Sequence, residues 1–142
     1  MSNYPTDGNE LLEPPVQFRE ETIEAVQRFK ESGPWTGTLE ERMSKFRHFH
    51  DALCQIYGKQ TTLRFGDLSG DCSGSSFYNR IDDEIVLQGK LSVVTFLHEY
   101  AHVLGRDERG AVRWSVCLFR QVFPEEFAKC HFEGHMLRRN RN

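Results

Sequence analysis

Residues 95 to 112, TFLHEYAHVLGRDERGAV, hold the arrangement in this chain whose residue types and spacing suit chemistry. His98 and His102 are four apart, and residues so spaced on a helix share one face about one turn, roughly 6 Å, from each other. Two imidazoles aimed at a common point make half a zinc site. Glu99, beside the first histidine, points to the side of that pair, where it can take a proton from water activated by the ion without ligating it. A catalytic zinc takes three protein ligands and keeps a fourth position open, so a third donor must come from elsewhere. Gly105 lets the chain leave the first helix and turn back. Glu108, six residues after His102, is the choice for the third ligand; Asp107 can take that place if the next helix starts a residue earlier. The expected centre is Zn2+ on His98, His102 and Glu108, with Glu99 as general base. The competing reading is a solvated polar helix face. The metal is favoured because the motif sits on an apolar helix with a capping signal before it and a glycine and a carboxylate at workable spacing after it.

Such a centre needs elements to hold it. Ser92 can cap a helix through Val94, Phe96, Leu97, Ala101 and Leu104 that ends at Gly105. A second helix is predicted from Asp107 or Glu108, carrying Ala111, Trp114, Cys117 and Leu118. Phe123-Pro124 then opens a last helix towards His135. Upstream, Ile23, Val26 and Phe29 recur at helical spacing between Glu20 and Ser32, before Gly33-Pro34. A longer helix starts at Thr38, where Thr38 and Glu41 offer a capping box, and aligns Leu39, Met43, Phe46, Phe49, Leu53 and Ile56 before Gly58. Strand character at Thr61 to Phe65, Ser75 to Arg80 and Glu84 to Leu87 predicts a small, twisted, mostly antiparallel sheet. The fold class is α+β. Residues 1 to 15, polar and closing on Pro14-Pro15, read as a flexible leader, and 16 to 142 as a single domain.

Composition narrows the function classes. At 142 residues with 38% hydrophobic residues and 11 phenylalanines, the chain can bury a core without staples. The net charge of −3 lacks the basic field that nucleic-acid binding needs, so nucleic acid is not the expected partner. No apolar run reaches the roughly 20 residues of a membrane span, and the N-terminal stretch has neither a charged n-region nor an apolar h-region. The expectation is a cytoplasmic chain with no membrane partner, whose cysteines Cys54, Cys72, Cys117 and Cys130 are free thiols.

HEYAH followed by Glu108, Ala111, Trp114 and Ser115, an E-x-x-A-x-x-W-S pattern, resembles the core of the ImmA/IrrE-type zincin-like metallopeptidases. The apolar strand at 85 to 87 before the HExxH helix is in the order those proteins use. The resemblance covers roughly residues 75 to 124. It implies a zincin-like fold in which the HExxH helix runs behind an edge strand, with Ser75 to Asn79 or Glu84 to Leu87 as that edge. It also implies a zinc metalloprotease that hydrolyses a protein or peptide substrate added along the edge by main-chain hydrogen bonds. His98-x3-His102-x2-Gly105-x2-Glu108 is similar to the metzincin motif too, with glutamate in place of the usual last ligand and no clear Met-turn, Met136 being a poor candidate. A third resemblance, to bacterial rRNA-maturation endoribonucleases, rests on Gly105 and Asp107. A zincin scaffold that binds a partner protein and cleaves nothing is the alternative from another class.

Other residues invite plainer readings. Cys130, His131 and His135 have the spacing to contribute to a structural zinc, but read better as a core cysteine and two surface histidines on the terminal helix. His48 and His50 are two apart and read as surface or interface residues. Trp114 and Phe119 read as core beneath the metal helix, and RRNRN at 138 to 142 as a solvated end. Tyr78, Tyr100 and His131 are conceivable partners for an oxyanion.

Overall fold

The computed structural model describes residues 8–69 and 74–140; Cys72 and the ends of the leader and the basic tail lie outside them. Local signals set the helices. In α3 (Leu39–Tyr57) the Thr38 hydroxyl accepts from the Glu41 N–H at 3.1 Å, and the Glu41 carboxylate accepts from the Thr38 N–H at 3.0 Å. Both ends of the capping box are therefore made, and Gly58 closes the helix in the left-handed conformation, at φ 67°. Helix α2 (Glu20–Glu31) lies against α3, with Phe29 stacked on Phe49 at 4.3 Å between centroids. Leu39, placed on the apolar stripe by spacing, is exposed; the buried stripe runs from Phe46 to Cys54.

Strands β1 (Thr62–Phe65), β2 (Phe77–Asn79) and β3 (Glu84–Leu87) form one sheet in the order β1-β3-β2. β2 and β3 are a hairpin, with Tyr78 opposite Ile85, while β1 runs parallel to β3, with Leu63 opposite Ile85. The sheet is thus mixed, not mostly antiparallel. β1 and β2 therefore flank the same strand in opposite directions. Asp83 ties the sheet together, accepting from the Tyr78 hydroxyl at 2.6 Å and from Thr61 Oγ1 at 3.2 Å. In β3, Ile85, Val86 and Leu87 are all buried, as a central strand covered on both faces requires.

Helices α4 (Val93–Val103) and α5 (Glu108–Val122) pack on each other, and α4 lies against β2 and β3. Ile85, Leu87, Phe96, Leu97, Trp114 and Leu118 join the α2 and α3 aromatics in one core. Trp114 and Phe119 are core residues, 2% and 4% exposed. The architecture is α+β with small mixed sheets, and none of its described helices is long and apolar enough to cross a membrane.

Two further expectations need correction. The helix after Phe123 is a single turn, α6 (Pro124–Phe127), and a hairpin follows: β4 (Cys130–Glu133) paired antiparallel with β5 (Met136–Arg139). Its residues alternate with period two, Phe132 and Leu137 half-buried between exposed neighbours, and Gly134 turns the chain at φ 66°. His50 is not a surface residue; at 2% exposure it sits four residues after Phe46 on the buried stripe, its ring edge-on to Phe96 and Tyr100. Burial holds its pKa below the ordinary histidine value. Cys54 and Cys117 are buried free thiols and Cys130 is a half-buried one.

Residues 8–15 also make contacts of their own with the domain. Here the short helix α1 (Gly8–Leu11) leads Leu11 and Leu12 into a second apolar cluster with Val112, Val116 and Cys117 of α5. Glu13 pairs with Arg120, and the Pro14 carbonyl accepts from Arg113. Leu12→Ala is therefore expected to cost about 2–5 kcal/mol, the range for emptying a buried leucine site. Urea denaturation measures it. A loss under about 0.5 kcal/mol would restore the mobile leader.

Candidate metal centre

The site is built by two helix ends and the turn between them. Ser92 Oγ accepts from the Thr95 N–H at 3.2 Å and starts α4 where Phe96, Leu97, Tyr100 and Ala101 face the core. His98, Glu99 and His102 are thereby left half-buried on the opposite side. α4 ends at Leu104, and Gly105 adopts φ 89°, a conformation that costs other residues steric strain. The chain reverses there, and α5 begins at Glu108.

Glu108 Oε1 lies 2.9 Å from His98 Nε2 and 3.0 Å from His102 Nε2. Asp107 is engaged elsewhere, as the N-cap of α5, where its Oδ1 accepts from the Gly110 N–H at 2.8 Å. The structure thus brings Glu108, and not Asp107, to the two histidines. His102 Nδ1 donates to the Arg106 carbonyl at 2.9 Å. A carbonyl only accepts, so the proton of neutral His102 sits on Nδ1 and its Nε2 lone pair faces the Glu108 carboxylate. Two acceptors face to face repel unless a cation, a proton or a metal ion, lies between them. Ring orientation through a backbone carbonyl is also how proteins fix a ligating histidine.

The donor atoms of His98, His102 and Glu108 all lie within 4.8 Å of one another, the only such group of three or more among the described residues. Ligands around one zinc at 2.0–2.1 Å bonds stand about 3.4 Å apart, so to take a small ion the two Glu108 pairs must open by a few tenths of an ångström and the widest pair, within 4.8 Å, must draw in by up to an ångström or so. Glu108 is 55% exposed at its side chain and free to adjust. Donor chemistry agrees with the fit: two imidazoles and one carboxylate suit zinc.

Charge in the site follows from burial and proximity. Burial holds His98 below the ordinary histidine value against the pull of Glu108, with His102 and His135 adding to the lowering. Burial pushes Glu108 up, but the two imidazoles outweigh it and keep the carboxyl below the usual range. Glu99 is pushed up to about 7, chiefly by burial and further by Glu108, against His102 and the backbone N–H of Tyr78. That backbone group belongs to β2, which packs beside α4. β3 is central, which leaves Phe77–Asn79 as the edge beside α4.

His98, Glu99 and Glu108 open onto a cleft of about 510 Å³. Ser75, Ser76 and Gln88 line one side, Val112 and Val116 the floor. The far wall is the β4–β5 turn, His135 to Leu137. His135 is the site residue that sequence reasoning missed. The signal was present in Gly134 between two alternating segments, but a helix reading of that stretch hid it. The residues named as oxyanion partners turn elsewhere. The Tyr78 hydroxyl donates to Asp83, the buried Tyr100 hydroxyl faces the Cys54 thiol without a well-formed hydrogen bond, and His131 bonds Asn140 and Glu133. Of the E-x-x-A-x-x-W-S pattern only Glu108 reaches the donor group. Ala111 and Trp114 are core, and the buried Ser115 hydroxyl donates to the Val112 carbonyl. Met136, 51% exposed, lines the cleft and does not underlie the donors as a buried Met-turn would.

No family model, curated protein or solved structure matches the chain. The resemblance to zincin-like peptidases therefore rests on the motif residues.

Proposed function

We propose that this chain is a zinc-dependent metallopeptidase of zincin-like architecture, similar in its motif to the ImmA/IrrE type, acting on a protein or peptide substrate. The observation that carries this reading is the meeting of His98, His102 and Glu108 at one point, with Glu99 beside them in the same cleft. His98, His102 and Glu108 would hold the ion, which when bound supplies Lewis acidity for activating water and polarising a carbonyl. The chain's own residues do the rest. Glu99, with a carboxyl poised near neutral pH, accepts a proton from the attacking water and hands it to the departing amine nitrogen. The Tyr78 N–H favours the charged form of that carboxylate, and β2, at the edge of its sheet, can take an extended peptide by main-chain pairing.

The ribonuclease resemblance loses its footing on two counts. Asp107 is engaged as a helix cap, and no third histidine joins the donor group among the described residues.

His135 lines this cleft from a turn and, by exchanging the interaction it already makes, would donate a hydrogen bond to a developing oxyanion. His135→Ala is expected to lower kcat about 10²–10³-fold with zinc affinity unchanged. Isothermal titration with zinc and steady-state kinetics separate the two; an unchanged kcat removes His135 from the mechanism.

The reading is tested by incubating the zinc-loaded chain with soluble lysate of its source and with casein, labelling new N-termini, with chelated protein as blank. Metal-dependent cleavage of a few lysate proteins and little of casein is expected, since the shallow edge groove is a weak general binder. No metal-dependent cleavage at all would replace the peptidase by a non-catalytic binding module.

A further inference from the structure

Beside the cleft lies a second hollow, and the two share Lys90, Ser92 and Leu137. Its charge is opposite to that of the chain. Lys90, Arg138 and Arg139 line it, and Glu133 is the one acidic side chain there, on a molecule of net charge −3. The acid is already engaged: Glu133 pairs with His131 Nε2 at 3.2 Å and with Arg138 Nε at 3.5 Å. Arg139 reaches Glu126 at 3.6 Å. Lys90 is exposed and makes no ion pair or hydrogen bond among the described residues. It stands where cleft and hollow meet, the cation with its charge left over.

We propose that this hollow is a specificity subsite for acidic side chains, in which Lys90, with Arg138 and Arg139, takes an aspartate or glutamate flanking the bond held at the metal centre. The proposal rests on the peptidase reading and names its substrate class. Leu137 lines both hollows, and Arg139 follows two residues along β5, about 7 Å at a rise of ~3.4 Å per residue. An extended peptide crosses the same distance in two residues. The selected acid therefore falls within about two to four residues of the cleaved bond, on one side only.

A peptide suits the hollow better than RNA does. No Phe, Tyr or Trp lines it, its one ring, His131, is already held by Glu133 and Asn140, and Glu133 repels a run of phosphates more than a single carboxylate placed at Lys90. A carboxylate also matches the guanidinium forks of Arg138 and Arg139.

The test uses the full chain, zinc-loaded, carrying Glu99→Gln so that bound peptide persists. Fluorescence anisotropy compares three labelled ten-residue peptides, with Asp and Glu, with Asn and Gln, or with Lys at the flanking positions, and a single-stranded RNA of equal length. The acidic peptide should bind about tenfold tighter than its amide twin, the strength of a charge-assisted hydrogen bond. Adding Lys90→Glu should abolish that preference and favour the lysine peptide, with Lys90→Gln in between. In parallel, cleavage sites in a peptide library are mapped with the Glu99 protein, with and without Lys90→Glu. Equal binding of acidic and amide peptides, no binding of any peptide, or Lys90-dependent binding of RNA as tight as that of the acidic peptide overturns the subsite. Cleavage without acidic bias overturns the subsite and leaves the peptidase standing. Lys90-dependent binding of acidic peptides with no bond cleaved does the reverse.

Discussion

Glu99→Gln is expected to lower peptide hydrolysis by about 10²–10⁴-fold, the contribution of a positioned general base, while zinc affinity changes no more than a few-fold. The amide has nearly the shape of the carboxyl but cannot accept the proton of water at neutral pH. Glu99 lies outside the donor group of His98, His102 and Glu108, so the ligand set survives the change. Removing a carboxylate pushed up to about 7 by burial is also not expected to harm the fold, because an amide is buried more cheaply than a charge. The measurements are kcat/KM on a substrate found in the lysate and zinc binding by titration against a chromophoric chelator. A variant that keeps more than a tenth of the activity would mean that another group takes the proton. A variant that loses zinc as well would place Glu99 among the ligands.

The second large effect concerns the metal itself. About one zinc per chain is expected after purification without chelator, and His102→Ala or Glu108→Ala should each weaken it well beyond 100-fold. Each removes one of only three protein donors, whereas loss of an outer partner that merely orients a ligand costs about 10–100-fold. Asp107→Ala serves as the contrast. Its carboxylate caps α5 and touches the site only by placing Glu108, so it should cost about 1 kcal/mol of stability and only a modest part of the affinity. Elemental analysis and competitive titration give both answers. A chain without zinc or any other transition metal, and without uptake on titration, would end the metalloenzyme reading. Loss of metal in Asp107→Ala with retention in Glu108→Ala would move the third ligand back one residue.

Much of the frame was legible because its causes are local. The Thr38–Glu41 box, the Ser92 and Asp107 caps, and Gly58 and Gly105 with positive φ all act within one helical turn, so a short window contains them. The candidate centre was legible for the same reason: His98 and His102 are one turn apart, and Glu108 follows through a single glycine turn. Misreadings arose where local signals tied. Cys130 to Arg139 carries apolar residues compatible with either period, and Pro124 is a sound helix start that the chain abandons after one turn.

The sequence by itself determined which residues can hold a metal ion and which way the helices beneath them face, since both follow from neighbours a few positions away. Only the tertiary structure decided what surrounds that centre. It put β2 at the edge beside β3, set Leu11 and Leu12 on α5, and buried His50. It also folded the last strands back so that His135 and Lys90 border the same cleft. Those placements come from apolar surfaces far apart in sequence meeting to leave water. The energy of that burial depends on area and shape complementarity, which no spacing along the chain records.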